Sequence, residues 1–315
     1  MRRVFTITGN LLAETAAVFD MPERGQTARA IGESLFSVGG KGVNVARAAI
    51  AIGMPATAAI FPAGYGGGRC VDALRAENIP LILSEIDGET RTGLVCVDNK
   101  SGTKTTFLGS DLPVPESALD DVLARISEAA NAGDILAFCG SFPAWKPSYA
   151  EKIAALIREK NLLFCLDTYG RPLADLAKCG CDILKVNRAE LFAFLGKIDG
   201  GTEHDFAEVF EYARAEFFAD AKIFAVSDGA NPILADFGRG TEEISVPKIA
   251  REVRATGCGD AMLARLAYEI FEKHAPAKTA LKRAAAYASL CAECSGVGKI
   301  DPEKREREKR ISLIV

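Results

Sequence analysis

Between residues 116 and 227, short apolar runs alternate with amphipathic ones, and this alternation narrows the fold more than any other feature. DILAFC (Asp134 to Cys139), LLFCLD (Leu162 to Asp167), DILKVN (Asp182 to Asn187) and KIFAVS (Lys222 to Ser227) read as short buried strands. Between them DVLARISEAAN, PSYAEKIAALIREK, a short helix after Pro172, RAELFAFLG and DFAEVFEYARAEFF read as helices. Strands apolar on both sides need cover on both sides, so the pattern predicts an α/β fold with a mostly parallel sheet between helical layers. VFTIT (Val4 to Thr8) and ATAAIF (Ala56 to Phe61) add strands, with the alanine-rich helix VNVARAAIAI opened by Gly39-Gly40-Lys41-Gly42 between them. A glycine loop and a helix from about Arg69 to Glu77 follow. Ligands of such sheets lie beyond the carboxyl ends of the strands. Asp167, Asn187 and Ser227 stand at those ends.

Two segments depart from the alternation. TGLVCVD and TKTTFL, joined by NKSG, predict a β-hairpin within residues 87–110. Residues 10–38 are less regular, with a turn at Pro22 and Gly25 and a strand at ESLFSV (Glu33 to Val38). Together they predict a small sheet projecting from the main body. The run EKREREKR (Glu303 to Arg310) reads as a solvated connection before a last strand, ISLIV.

The formal charge of −4 gives no reason to expect nucleic acid or an anionic membrane as a partner, so an anionic ligand needs a local cluster of cations. His204 and His274 are the only histidines, too little material for a histidine metal site or proton relay. Nine cysteines, several inside apolar runs, fit buried thiols in a reducing compartment, and the Cys291-x-x-Cys294 spacing reads as packing rather than zinc ligation. The N-terminal run lacks a signal-peptide core and no stretch of about twenty apolar residues occurs, so a cytoplasmic protein is expected.

The chemistry concentrates in ATGCGDAM (Ala255 to Met262). Gly257 and Gly259 flank a small residue, Asp260 follows, and a helical pattern runs on to about Phe271. Such a turn presents backbone N–H groups at the positive end of a helix, which suits an anion, and Asp260 adds a carboxylate within reach of it. Lys41 and Arg91 are cations suited to a phosphate already present on a substrate, Arg91 in a bidentate manner, and Lys104 on the partner strand of the hairpin could add a third charge. Neither a Walker A sequence nor a dinucleotide GxGxxG is present; VFTITGN lacks the latter at the first strand, which argues against a nicotinamide-dependent oxidoreductase.

In their order along the chain, GGKG with Asn44, GSFP (Gly140 to Pro143), KVNRAE (Lys185 to Glu190), VSDG (Val226 to Gly229) and the GCGD turn resemble the ribokinase-like (PfkB) carbohydrate kinases. GGKGVNVARAA and GETRTG (Gly88 to Gly93) look most like the branch containing 1-phosphofructokinase and tagatose-6-phosphate kinase. The resemblance covers essentially the whole chain. It implies a single ribokinase-like domain over residues 1–315, a three-layer αβα body whose small β-sheet, from about 10–38 and 87–110, is a lid. It also implies ATP-dependent phosphorylation of a primary hydroxyl of a sugar phosphate, fructose 1-phosphate to fructose 1,6-bisphosphate being the first candidate.

On the same resemblance, Asp260 matches the catalytic base, expected to be an aspartate of ordinary acidity, and Gly257, Cys258 and Gly259 match the anion hole. Asn187 and Glu190 match the residues that position magnesium and phosphates, largely through water. Lys185, Ser227 and Gly229 match the nucleotide side, and Gly39, Gly40 and Asn44 the sugar side. A small-molecule sugar or sugar phosphate, ATP, Mg2+ and a homodimer paired through the lid are the implied partners. The chain departs from the pattern at Glu14, where the branch carries an aspartate, at Gly93, where it carries an asparagine, and at Pro232 and Arg265. Glu14 and Gly93 leave a kinase of unphosphorylated sugars or nucleosides as the alternative. A sugar-binding regulatory protein without turnover is a third reading, opposed by Asp260 and Glu190.

Overall fold

Alternating residues of the central strands are shared between two hydrophobic cores. In strand β1 (Val4–Thr8), Val4 joins one core while Phe5 and Ile7 join the other. Strand β8 (Ile135–Cys139) sends Ile135, Ala137 and Cys139 to the first and Leu136 and Phe138 to the second. This period of two is what a sheet buried on both faces requires. The computed structural model describes residues 1–21, 23–196, 205–250, 253, 256–294, 296 and 300. The expected strand ISLIV, the charged run before it and His204 lie outside the described residues.

The remaining strands of the body are β4 (Ala56–Ile60), β5 (Leu81–Leu83), β9 (Leu163–Asp167), β10 (Ile183–Asn187), β11 (Ile223–Asp228), β12 (Asn231–Asp236) and β13 (Thr241–Ile244). They form a nine-stranded sheet in the order β13-β12-β11-β10-β9-β8-β1-β4-β5. All pairings are parallel except β11–β12 and β12–β13. The sequence reading did not foresee this antiparallel edge, whose strands are short and partly exposed.

Helices α1 (Lys41–Ala51), α2 (Gly64–Ala76), α8 (Cys258–Phe271) and α9 (Ala277–Ala292) cover one face. Helices α3 (Glu116–Ala129), α4 (Pro147–Lys160), α5 (Arg171–Leu176), α6 (Arg188–Phe194) and α7 (Phe206–Glu216) cover the other. The three αβα layers expected from the sequence are therefore present. No helix among the described residues is long and apolar enough to cross a membrane.

Two local readings are corrected. Helix α2 begins at Gly64, inside the expected glycine loop, because the Glu89 carboxylate accepts from the backbone N–H of Tyr65 (3.1 Å) and Gly66 (2.5 Å). A carboxylate at the positive end of a helix offsets the weak helix propensity of four glycines. Residues 12–19, read as irregular, form strand β2 (Leu12–Phe19), held on both sides by β3 (Ile31–Gly39) and β6 (Arg91–Asp98). With β7 (Lys104–Leu108) these make a four-stranded sheet in the order β3-β2-β6-β7, in which β6 and β7 are the expected antiparallel pair.

Candidate active site

The register of the large sheet aligns its chemistry in a row. Thr8 pairs with Cys139, Cys139 with Asp167, and Asn187 with Ser227, each in the last turn of side chains before the carboxyl edge. Beyond that edge, and beneath β2 and β3, lies a cavity of about 560 Å³. Lys41, Asn44, Lys185, Asn187, Ser227, Gly229, Gly257, Cys258, Gly259 and Asp260 line it, with Glu14, Gly39, Gly40 and Arg91. Of the sequence candidates, Lys104, Asp167 and Glu190 are outside the lining. Lys104 Nζ donates to the Val253 carbonyl (2.9 Å), and Glu190 meets the cavity through two residues that line it, Lys41 and Asn187.

Asp260 sits in the first turn of α8 and is 5 % exposed. Its Oδ2 accepts from Asn44 Nδ2 at 2.8 Å. Asn44 is held in turn, since its Oδ1 accepts from Arg47 Nη1 (3.0 Å), and Arg47 is clamped by both oxygens of Glu77 (2.7 Å each). Burial, with the neighbouring charge of Asp167, raises the Asp260 pKa to about 6, against the opposing pull of Lys41, Lys185 and Asn44. The expectation of an aspartate of ordinary acidity is therefore corrected. A base poised near the working pH is better matched to proton transfer than one near 4.

Asp167 is fully buried and answers two lysines. Its Oδ1 accepts from Lys41 Nζ (2.7 Å) and its Oδ2 from Lys185 Nζ (2.9 Å). Burial resists ionisation here, but Lys185 and Lys41 prevail and hold the carboxyl below the usual carboxylate range. Burial likewise opposes charge on Lys41, yet Asp167 and Glu190 keep its ammonium well above the ordinary lysine range. Both lysines, each a cation aimed at the carboxyl edge, are pinned without a ligand.

Glu190 carries two tasks. With Asn187 it forms a capping box at the start of α6: Glu190 N–H donates to Asn187 Oδ1 (2.8 Å) and Asn187 N–H to Glu190 Oε2 (2.9 Å). Its other oxygen, Oε1, accepts from Lys41 Nζ (2.6 Å).

Gly257, whose φ of 85° suits glycine, precedes helix α8, and no side chain among the described residues caps it. Its first residues, Cys258, Gly259 and Asp260, line the cavity with Gly257. Gly259 serves a second purpose, because a Cβ there would come within 2.6 Å of Lys185 Nζ. Gly40, with φ of 125°, keeps α1 close to β1, where a Cβ would meet the Thr8 methyl at 2.6 Å.

Arg91, on β6 of the small sheet, lines the same cavity, and its Nη1 donates to Asp111 Oδ1 (3.0 Å). Asn10 Nδ2 donates to the same oxygen (2.8 Å) and to Ser141 Oγ (2.9 Å). The sequence reading missed Asp111, which lies in an unremarkable turn about a hundred residues from Asn10. Lys41, expected beside Arg91, is instead held by Asp167 and Glu190. Arg265 faces away from the cavity, pairing with buried Glu269 (2.8 Å) between Tyr268 and Tyr287. Cys291 and Cys294 are buried, and no group of three or more metal-ligating side chains occurs among the described residues.

A large, mostly parallel sheet between helical layers, with a smaller sheet beside its carboxyl edge, is the ribokinase-like fold. Solved structures share that fold: phosphofructokinase-2 from Escherichia coli superposes with a TM-score of 0.86 at 21% identity, covering 100% of this chain and 99% of that one. Residues 12–304 match the pfkB family carbohydrate kinase description. The chain is 33% identical over 249 residues to a 1-phosphofructokinase of Rhodobacter capsulatus (75% of this chain, 74% of that protein). It is 24% identical over 292 residues to a tagatose-6-phosphate kinase of Staphylococcus epidermidis (91% and 92%). The chain belongs to the pfkB family of carbohydrate kinases, and it is a kinase.

Proposed function

We infer that this kinase transfers phosphate from ATP to a primary hydroxyl of a sugar phosphate, fructose 1-phosphate first among them, giving fructose 1,6-bisphosphate. The observation that carries the reading is that one cavity is lined by Arg91 together with Asp260 and the glycine start of α8. The relatives named 1-phosphofructokinase support the choice of acceptor.

In this reading the Asp260 carboxylate takes the hydroxyl proton as the oxygen attacks the γ-phosphate. Asn44 fixes Oδ2, so that Oδ1 meets the acceptor. Charge growing on the transferring group is met by the N–H groups of Cys258, Gly259 and Asp260, and the loose transition state asks more of position than of basicity. Gly39, Gly40 and Glu14 hold sugar hydroxyls; Ser37 Oγ already donates to Glu14 (3.2 Å). Lys185, Asn187, Ser227 and Gly229 hold the nucleotide side, and Lys41 lies between the two substrates.

Magnesium fits this donor set if it arrives with the nucleotide. Mg2+ keeps several waters and takes few carboxylates, so Glu190 and Asn187 would hold it through water with no protein cage needed. The ion would supply charge neutralisation on the phosphates. Closure of the small sheet over the sugar, as a lid, would exclude water.

Leu35 (69 % exposed) and Leu108 (54 %) share the face of that sheet that carries Glu14 and Ser37. An apolar face of this kind supports a homodimer paired through the lid. A cytoplasmic location follows from the reading of a soluble metabolic kinase.

The acceptor is tested by ADP release across free and phosphorylated hexoses, pentoses and nucleosides with Mg-ATP, using wild type and Arg91→Ala. The expected result is a rise in KM confined to phosphorylated sugars. Equal effects on free and phosphorylated sugars would instead favour an unphosphorylated acceptor, the reading to which Gly93 and Glu14 point.

A further inference from the structure

We propose that Asp111 is a positioning residue for the phosphate of the acceptor, acting through Arg91; this rests on the reading of a phosphorylated acceptor. Asp111 touches two residues that line the cavity, Arg91 and Asn10, but does not line it itself. It leaves β7 on the turn toward α3, whereas Asn10 follows β1 and Ser141 follows β8. One carboxylate oxygen thus ties the small sheet to the body.

The pairing decides which edge of the guanidinium is available. Asp111 takes Nη1, and Arg91 Nε is buried with no hydrogen-bond partner. A buried N–H without an acceptor costs free energy that a ligand oxygen would recover. Pinning Nη1 leaves the Nε–Nη2 edge, two parallel donors of the spacing that a phosphate accepts. Nearby, Gly93 has no side chain to steady a phosphate, and a Cβ there would meet Leu12 at 3.0 Å, so little room exists for one. Asp111 supplies from the neighbouring turn the orientation that position 93 does not.

Asn10 shares the same Asp111 oxygen and is held as well by Ser141, so it anchors Asp111 to the body beside Arg91. Asp111 is more than half exposed, so its effect is orientation of its donors with little burial involved.

The test is steady-state kinetics with a hexose phosphate and the matching free hexose. Asp111→Ala is expected to raise KM for the phosphorylated sugar about fivefold, the scale of a partly exposed charge-assisted pair, with kcat nearly unchanged. Asp111→Asn, which keeps an acceptor oxygen at the same place, restores most of the loss. In an Arg91→Ala background Asp111→Ala adds nothing for the phosphorylated sugar. A lower KM in Asp111→Ala, or equal losses for free and phosphorylated sugars, would overturn the proposal, the first by making Asp111 a competitor of the phosphate. If Arg91→Ala itself fails to discriminate between the two sugars, the phosphorylated-acceptor reading fails; if it discriminates and Asp111→Ala does not, only the role of Asp111 fails.

Discussion

Asn44 Nδ2 donates to Asp260 Oδ2 at 2.8 Å, joining the first turn of α1 to the first turn of α8 across 216 residues. The bond favours the ionised carboxylate, whereas burial disfavours it, and the balance leaves Asp260 at about 6. Asp260→Asn should therefore lower kcat by about 10²–10⁴, the usual worth of a positioned base, with sugar binding by calorimetry retained. Near-normal turnover in this variant would rule out Asp260 as the base.

The same balance sets a pH profile. Activity of the free enzyme, read as kcat/KM, should fall by one proton as pH drops through about 6. Asn44→Leu removes a contact that lowers this pKa, so the acid limb should move to higher pH. A limb that stays in place would show that the limb reports another group.

Stability carries the opposite sign from activity. A carboxyl whose pKa is raised from 3.8 to about 6 in the folded chain favours the protonated form on folding, so its ionisation destabilises the fold as pH rises through that window. Asp260→Asn should raise the thermal midpoint above pH 6, and the gain should shrink as pH falls toward 4. A midpoint that falls at pH 7.5 would contradict the assignment of burial as the main cause.

Glu190 can be divided by one conservative change. Glu190→Gln keeps an oxygen for the Asn187 N–H and so keeps the capping box, while losing the charge that meets Lys41. The thermal midpoint should hold and the magnesium needed for half-maximal rate should rise several-fold, as loss of a charge near the metal's water shell implies. An unchanged magnesium requirement would leave Glu190 a helix cap alone.

Leu35→Lys with Leu108→Lys should convert a dimer to a monomer in sedimentation, since two charges would enter the apolar face of the small sheet. A wild type that is monomeric at every concentration would discard pairing through this face.

Much of the body was legible because each strand's identity is local. ILAFC is apolar over five residues and IFAV over four, and no helical period competes with either. The antiparallel edge β12–β13 was not legible, for its residues are short, mixed and paired only by hairpin geometry. The start of α2 was misread because its stabilising carboxylate, Glu89, arrives from more than twenty residues away. Asp111 left no mark in the sequence for the same reason.

By itself the sequence determined the layered α/β body, the glycine turn before α8 and the residue types at the carboxyl edge. These follow from hydrophobic period and from backbone freedom, both of which act between near neighbours. Only the tertiary structure decided the state of those residues. It set Asp260 near 6 by burying it beside Asp167, bound Lys41 to Asp167 and Glu190 and away from Arg91, and gave Arg91 its partner in Asp111. Charge interactions are fixed by distance in space and by exclusion of water, and neither quantity is written along the chain.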